Sequence, residues 1–283
     1  MNVPKGLILE NRGILNLSGD DLRPFLQGLI TNDMNRLGPG KPLYAALLTP
    51  QGKFLFDFFV VEDGDHILLD CQADRREALI KRLTMYRLRS AVTIEDVTGE
   101  QVVAVVWGGD ISETNGCFAF PDPRLEALGT RLIGPPEAVA KALETCDPAS
   151  QDNWTAHRIG LGIPESGTDI LPEDTFWLEA NAEDLHGVDF KKGCYVGQEV
   201  TSRIKHKSTL KKRLIPLNFG DADAPAGVPV MAGEKKAGDV RSTFGNMGIA
   251  MLRIDRVAEG GGVITADGKP AELATPDWMG FAE

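Results

Sequence analysis

The 283-residue chain lacks most of the patterns on which the common catalytic routes depend. Its four cysteines, Cys71, Cys117, Cys146 and Cys194, include no Cys-x-x-Cys pair. In a chain of this size they read as reduced thiols in a cytosol-like compartment and not as a disulfide framework. His66, His157, His186 and His206 show no His-x-x-x-His or Cys/His spacing, so no dedicated metal site is expected. No Gly-x-Gly-x-x-Gly, P-loop or Gly-x-Ser-x-Gly run occurs, which removes the usual nucleotide and hydrolase routes. No apolar run approaches the roughly 20 residues needed to span a bilayer. The first residues mix Lys5, Glu10 and Arg12 with apolar ones and carry no cleavage-site pattern. Neither a secretory signal nor an Arg/Ser-rich transit peptide is expected, and the chain reads as cytoplasmic, with no membrane partner. An excess of acid, 41 Asp and Glu against 30 Lys and Arg, argues against a surface that coats nucleic acid.

What the chain does have is concentrated in Asp189-Phe190-Lys191-Lys192-Gly193-Cys194-Tyr195-Val196-Gly197-Gln198-Glu199-Val200-Thr201-Ser202-Arg203. One cysteine stands between a lysine pair and an arginine. Gly193 and Gly197 are expected to let the backbone turn where a Cβ would resist and to approach a ligand closely. Residues from Gln198 onward tolerate a helix, so Cys194 is expected just ahead of a helix N-terminus. Cations and the positive end of a helix dipole favour a thiolate, whereas burial as a small hydrophobe is the commoner fate of a free cysteine. The chemistry alone leaves both open.

The run Lys192-Gly193-Cys194-Tyr195-x-Gly197-Gln198-Glu199-x-x-x-Arg203 resembles the signature of the YgfZ-type folate-binding proteins, relatives of the aminomethyltransferase (T-protein) of the glycine cleavage system. The likeness covers nearly the whole chain. Leu15-x-Leu17-x-Gly19-Asp20-Asp21, Phe25 to Asp33, Leu47 to Lys53, Tyr86-Arg87-Leu88-Arg89, Gly162-Ile163-Pro164 and Glu179-Ala180-Asn181 follow in the expected order. The resemblance implies a tetrahydrofolate-binding protein that supports assembly or repair of iron–sulfur enzymes, tRNA-modifying ones among them. Its partners would be reduced folate and iron–sulfur proteins or their assembly factors. In this reading Cys194, with Lys192 beside it, is the reactive group. The folate contacts would come from Asn32, Asp57, Tyr86, Trp177, Glu179, Gly193, Gln198, Glu199 and Arg203. The alternative is a folate-dependent aminomethyl transferase, with Asp57 steering the folate nitrogen and Cys194 incidental.

Periodicity gives the architecture. Ile14–Leu17 reads as a strand and Leu22, Phe25, Leu26 and Leu29 as a helical stripe that Ser18 could cap. Tyr44–Leu48 and Phe54–Val61 read as strands joined through Pro50-Gln51-Gly52-Lys53, with Asp57 interrupting the second. That carboxylate is expensive to bury without donors, so it either faces the polar side or lines a cavity. Thr31-Asn32-Asp33 reads as a polar turn. A strand over 67–70, a helix over 74–89 and strands over 92–96 and 101–107 follow. Helices open at Pro135-Pro136 and over 151–159. Tyr86 is expected at a core or edge position unless it stacks on a heterocycle, and Trp177 packs a domain unless it seats one.

The fold expected is α+β: two similar mixed halves, about 1–98 and 99–207, which the resemblance implies form one folate-binding domain. A small antiparallel β-barrel at 208–283 follows, with no helix of consequence. Between Lys191 and Arg213 stand eight basic residues against Glu199 alone. Such a run is usually a solvated face, and here it is also suited to the anionic tail of a folate.

Overall fold

The computed structural model describes residues 3–111, 113–207 and 210–280, which divide into two compact units. The first comprises Met1–Gln51, Leu55–Gln151 and Leu185–Gln198, and the second Gly52–Phe54, Asp152–Asp184 and Glu199–Glu283. Residues 152–184 therefore cluster with the C-terminal part of the chain. The boundary expected at Ser208 lies outside the described residues.

In chain order the first unit contains β1 (Lys5–Ile8), β2 (Arg12–Ser18), α1 (Leu22–Gln27), β3 (Leu43–Leu48), β4 (Phe54–Asp63), β5 (His66–Gln72), α2 (Arg76–Arg87) and β6 (Thr93–Asp96). It continues with β7 (Val102–Trp107), β8 (Phe118–Pro121), β9 (Thr130–Gly134), α3 (Pro136–Leu143) and β10 (Asp147–Pro148). One sheet runs β3-β4-β5-β2-β6 and the other β10-β1-β7-β9-β8. Each half of the sequence thus supplies a five-stranded sheet, with one exchange that periodicity did not reveal. β1 leaves the first half and pairs antiparallel with β7 and parallel with β10.

β3 and most of β4 are buried on both faces, which is why they read as nearly continuous apolar runs. One face, with Leu15, Leu17, Leu47, Phe58, Val60 and Leu69, packs on Leu22, Phe25 and Leu26 of α1 and Leu79 and Leu83 of α2. Tyr86 is half-buried against this cluster, in the packing role. Asp21 stands at the N-cap of α1 with no side-chain cap bond, so Ser18 does not serve there. Asp21 instead accepts from Ala91 N–H.

The opposite face is ionic. Arg12 Nε donates to Asp70 Oδ1 at 2.6 Å and Arg131 Nη2 to Asp70 Oδ2 at 2.5 Å. Asp122 accepts from Arg124 at 2.8 and 2.9 Å and pairs with Arg131 at 3.5 Å. Three guanidinium groups crowd the Phe59 ring, Arg131 closest at 4.0 Å. A buried charge persists only when paired and hydrogen-bonded, and these carboxylates and guanidinium groups satisfy one another.

In the second unit α4 (Gln151–Gly160) precedes an irregular stretch and a 3-10 turn over Trp177–Ala180, and α5 (Gln198–His206), all but its first residue in this unit, follows. A closed barrel follows, β11-β14-β13-β12-β15-β16 in order. Its strands are β11 (Lys212–Asn218), β12 (Pro229–Ala232), β13 (Lys235–Phe244), β14 (Met247–Arg253), β15 (Ile264–Ala266) and β16 (Lys269–Leu273). Closure removes the exposed edges that a six-stranded sheet would otherwise offer. The tail is not free of helix: α6 (Ile254–Glu259) buries Val257 against the barrel core. The barrel's Arg213 is buried, donating to Asn181 Oδ1 at 2.5 Å and pairing with Asp184.

Candidate functional site

The signature loop is tied at its start to the turn after α1. Thr31 Oγ1 donates to Gly187 O at 2.7 Å and accepts from Ala46 N–H at 2.8 Å. Asp189 N–H donates to Thr31 O, and the Asp189 carboxylate accepts from Lys191 N–H at 2.7 Å and pairs with Arg36. Burial opposes ionisation of Asp189, but these donors win and hold its carboxyl below the ordinary range.

Lys192 is the clamp. Its buried ammonium donates to Gln27 O at 2.8 Å, Ile30 O at 2.5 Å and Asn32 O at 2.9 Å. Those carbonyls lie at and beyond the C-terminal end of α1, where unpaired oxygens and the negative end of the helix dipole favour a cation. Burial pulls the Lys192 ammonium down to about 8, with Asp33 and Asp189 opposing. All three ammonium hydrogens have carbonyl partners, which ties the signature loop to the turn after α1.

The next residues lift the thiol outward. Tyr195 is buried with the Lys192 ammonium 5.0 Å above its ring, and Val196 packs on the apolar core. Between these anchors, Gly193 and Cys194 are exposed. Gly197 takes φ +86 before α5 begins at Gln198, so glycine is required there. Gly193 is not in that region and a Cβ would meet nothing within 4 Å, which corrects the expectation that both glycines answer to the backbone. Cys71, Cys117 and Cys146 are buried, and burial raises all three thiols, Cys71 to about 12. Cys194 is the one exposed cysteine of the four, four residues ahead of a helix, as the spacing predicts.

Several of the residues expected to seat a folate are engaged by neighbours within their own unit. Asn32 is buried, its Nδ2 donating to Tyr44 O and His186 O and its Oδ1 accepting from Asp33 N–H. Trp177 is 1% exposed and stacks on Phe54 at 5.5 Å, the packing role. Glu179 accepts from Phe176 N–H in the cap of its own turn, and burial raises its carboxyl. Gln198 is half-buried at the start of α5, with Glu199 and Arg203 exposed along it.

Asp57 is the exception. It is buried, and its Oδ2 accepts from Tyr44 O–H at 2.8 Å, while Oδ1 has no hydrogen-bond partner. Burial and this carboxylate push the Tyr44 phenol well above its ordinary value. Asp57 shares with Phe56, Cys71, Gln72, Arg75 and Leu79 a cavity of about 10 Å³. That is room for about one water and not for a pteridine ring. The basic run is also thinner than its composition: Lys192 and Arg213 are buried in structural bonds and Lys205 pairs with Glu183.

Known proteins extend this picture. The chain is 32% identical to the human mitochondrial iron–sulfur cluster assembly factor IBA57, covering 95% of this chain and 84% of the human one. The chain belongs to the IBA57 family. The mouse IBA57 protein is 31% identical over 95% of this chain and 84% of its own length. The family model for the CAF17 C-terminal β-barrel domain matches residues 211–281. The aminomethyltransferase T of the glycine cleavage system of Bartonella henselae has the same fold, with a TM-score of 0.80 at 16% identity over 97% of this chain and 85% of that one. The expected aminomethyltransferase-like α+β fold and C-terminal barrel are therefore present. The expected cytoplasmic address is corrected, because the IBA57 relatives are labelled mitochondrial.

Proposed function

We propose that the chain works in iron–sulfur cluster assembly and that Cys194 is the sulfur through which it does so. The observation that carries this reading is the lone exposed cysteine, held outward on a loop clamped by Lys192. Membership of the IBA57 family supports it, since the relatives are named iron–sulfur cluster assembly factors. One cysteine is too few to keep a cluster, which generally needs about four protein ligands, and is enough for transient contact. The step is a ligand exchange. The Cys194 thiol gives its proton to water, the thiolate bonds to an iron of a cluster held by a partner protein, and an outgoing thiolate leaves that iron and takes up a proton. No electron changes hands. The clients include tRNA-modifying enzymes, as the YgfZ-type resemblance implies.

The test is complementation of cells lacking the protein. Cys194→Ala is expected to fold with an unchanged melting midpoint and to leave iron–sulfur enzyme activity unrestored. Full restoration by that variant refutes the role.

No step is routed through folate. Tetrahydrofolate is the ligand to try, with thermal unfolding of the wild type and of Asp57→Asn as the assay. Protection that Asp57→Asn abolishes would assign the pteridine to the carboxylate at the small cavity, after Phe56 and Leu79 move aside. The transferase alternative predicts transfer of a methylene group from an aminomethyl carrier by purified protein, undiminished in Cys194→Ala.

A further inference from the structure

α2 ends with an unusual residue. Leu88 follows Arg87 with φ +48 and ψ −104. A bulky side chain in left-handed φ is strained, and such residues are retained mainly where ligands or partners are held. Packing does not account for it, because Leu88 is 87% exposed, and Met85, almost one turn earlier, is 56% exposed. The turn is closed on its far side by Ser90 N–H donating to Arg87 O at 2.8 Å and Val92 N–H to Ser90 O at 2.9 Å. Leu88 is therefore held outward by the backbone. It lines a surface groove of about 810 Å³ with Asp21, Pro24, Phe25, Arg89 and Ser90.

The charged residues of the lining are one acid, Asp21, and one exposed cation, Arg89, and further cations stand along α2 in a chain of formal net charge −11. Helical spacing puts exposed Lys81 and half-buried Arg82 on the same stripe as Met85, which leads on to exposed Arg89. Asp21, the one acid of the lining, already accepts from Ala91 N–H at 2.7 Å. An apolar slot with cations at its edge complements an apolar side chain with carboxylates on either side of it. The slot is also joined to the signature loop. Pro24 and Phe25 stand on the same six-residue helix whose end is capped by Lys192.

We propose that this groove docks a segment of a partner protein in which an apolar side chain is flanked by Asp or Glu. The apolar group packs against Leu88, Met85 and Phe25, and the carboxylates meet Arg89 and Lys81. The strained leucine is kept because it is an anchor for that segment. The proposal does not depend on the role of Cys194.

The experiment uses the whole chain and two labelled synthetic peptides, Glu-Glu-Leu-Phe-Glu-Glu and Lys-Lys-Leu-Phe-Lys-Lys, read by fluorescence anisotropy. The acidic peptide is expected to bind about tenfold tighter or more than the basic one, with the gap narrowing as salt rises. Leu88→Ser and Arg89→Glu should each weaken it by about tenfold. Leu88→Gly separates anchoring from folding, since glycine accepts the positive φ. It should lose binding as Leu88→Ser does, with a melting midpoint level with or above that of the wild type. Equal affinity for the two peptides overturns the proposal, as does indifference to Leu88→Ser. A lower midpoint in Leu88→Gly would place the leucine in the service of the fold and overturn it too. Light scattering that shows a dimer dissociated by Leu88→Ser would assign the face to a second copy instead.

Discussion

Replacing Lys192 by methionine tests whether that lysine clamps the loop or does chemistry beside the cysteine. Methionine keeps most of the apolar stem and removes the ammonium, leaving Gln27 O, Ile30 O and Asn32 O without their donor. A buried polar group stripped of its partner costs about 1–3 kcal/mol. Three such losses are offset in part because the variant no longer buries a charge that its surroundings disfavour, the ammonium having been pulled down to about 8. The balance is a loss of about 2–4 kcal/mol at pH 7.

The pH dependence makes the test specific. In the unfolded chain this lysine titrates near 10.4, so between about pH 8 and 10.4 the unfolded state binds more protons at this site than the folded state does. Stability from Lys192 therefore rises with pH across that window and is lost as pH falls back through it. The slope is at most about 1.4 kcal/mol per pH unit. Guanidinium unfolding of wild type and Lys192→Met at pH 7, 8, 9 and 10 should show their stability difference widening above pH 8, while the m-values stay equal. A difference below about 0.5 kcal/mol at pH 7 would refute the clamp. So would a difference that stays flat across the window.

Three further outcomes follow from the same geometry. Ellman's reagent should titrate one fast thiol in the native protein, lost in Cys194→Ala, and the remaining cysteines only after denaturation; a second fast thiol contradicts the burial of Cys71, Cys117 and Cys146. Asp70→Asn should cost about 3–5 kcal/mol in chemical denaturation, because it leaves the Arg12 and Arg131 guanidinium groups short of their shared carboxylate, and a loss under about 1 kcal/mol would mean that water reaches them. Gly193→Ala should change stability by less than about 0.5 kcal/mol and Gly197→Ala lower it by about 1–2 kcal/mol, and the reverse order would show that the turn has been misread.

The elements themselves were legible in consecutive residues. The apolar run from Phe54, the helical stripe Leu22-Phe25-Leu26 and the proline pair before Ala138 each read out as the element observed. So did the short alternating segments of the barrel and the place of Cys194 ahead of a helix. What escaped was pairing. Nothing in Lys5–Ile8 marks it for the sheet of the second half, and β8, β9 and β16 are short stretches with weak patterning. The buried charges escaped as well, although Asp70 beside Ile67-Leu68-Leu69 and Arg131 before Leu132-Ile133 were visible as ionic breaks in apolar strands.

The sequence by itself determined the period of each element, the barrel in the tail and the signature around one cysteine, because these depend on neighbours along the chain. Only the tertiary structure decided what each charge is for. Lys192 stands in a cationic run, yet its partner Gln27 is 165 residues away. Asp57 meets Tyr44 of the neighbouring strand, and Trp177 is sealed against Phe54. A side chain's hydration and its partners set its charge state and reactivity, and both are supplied by segments that meet only when the chain folds.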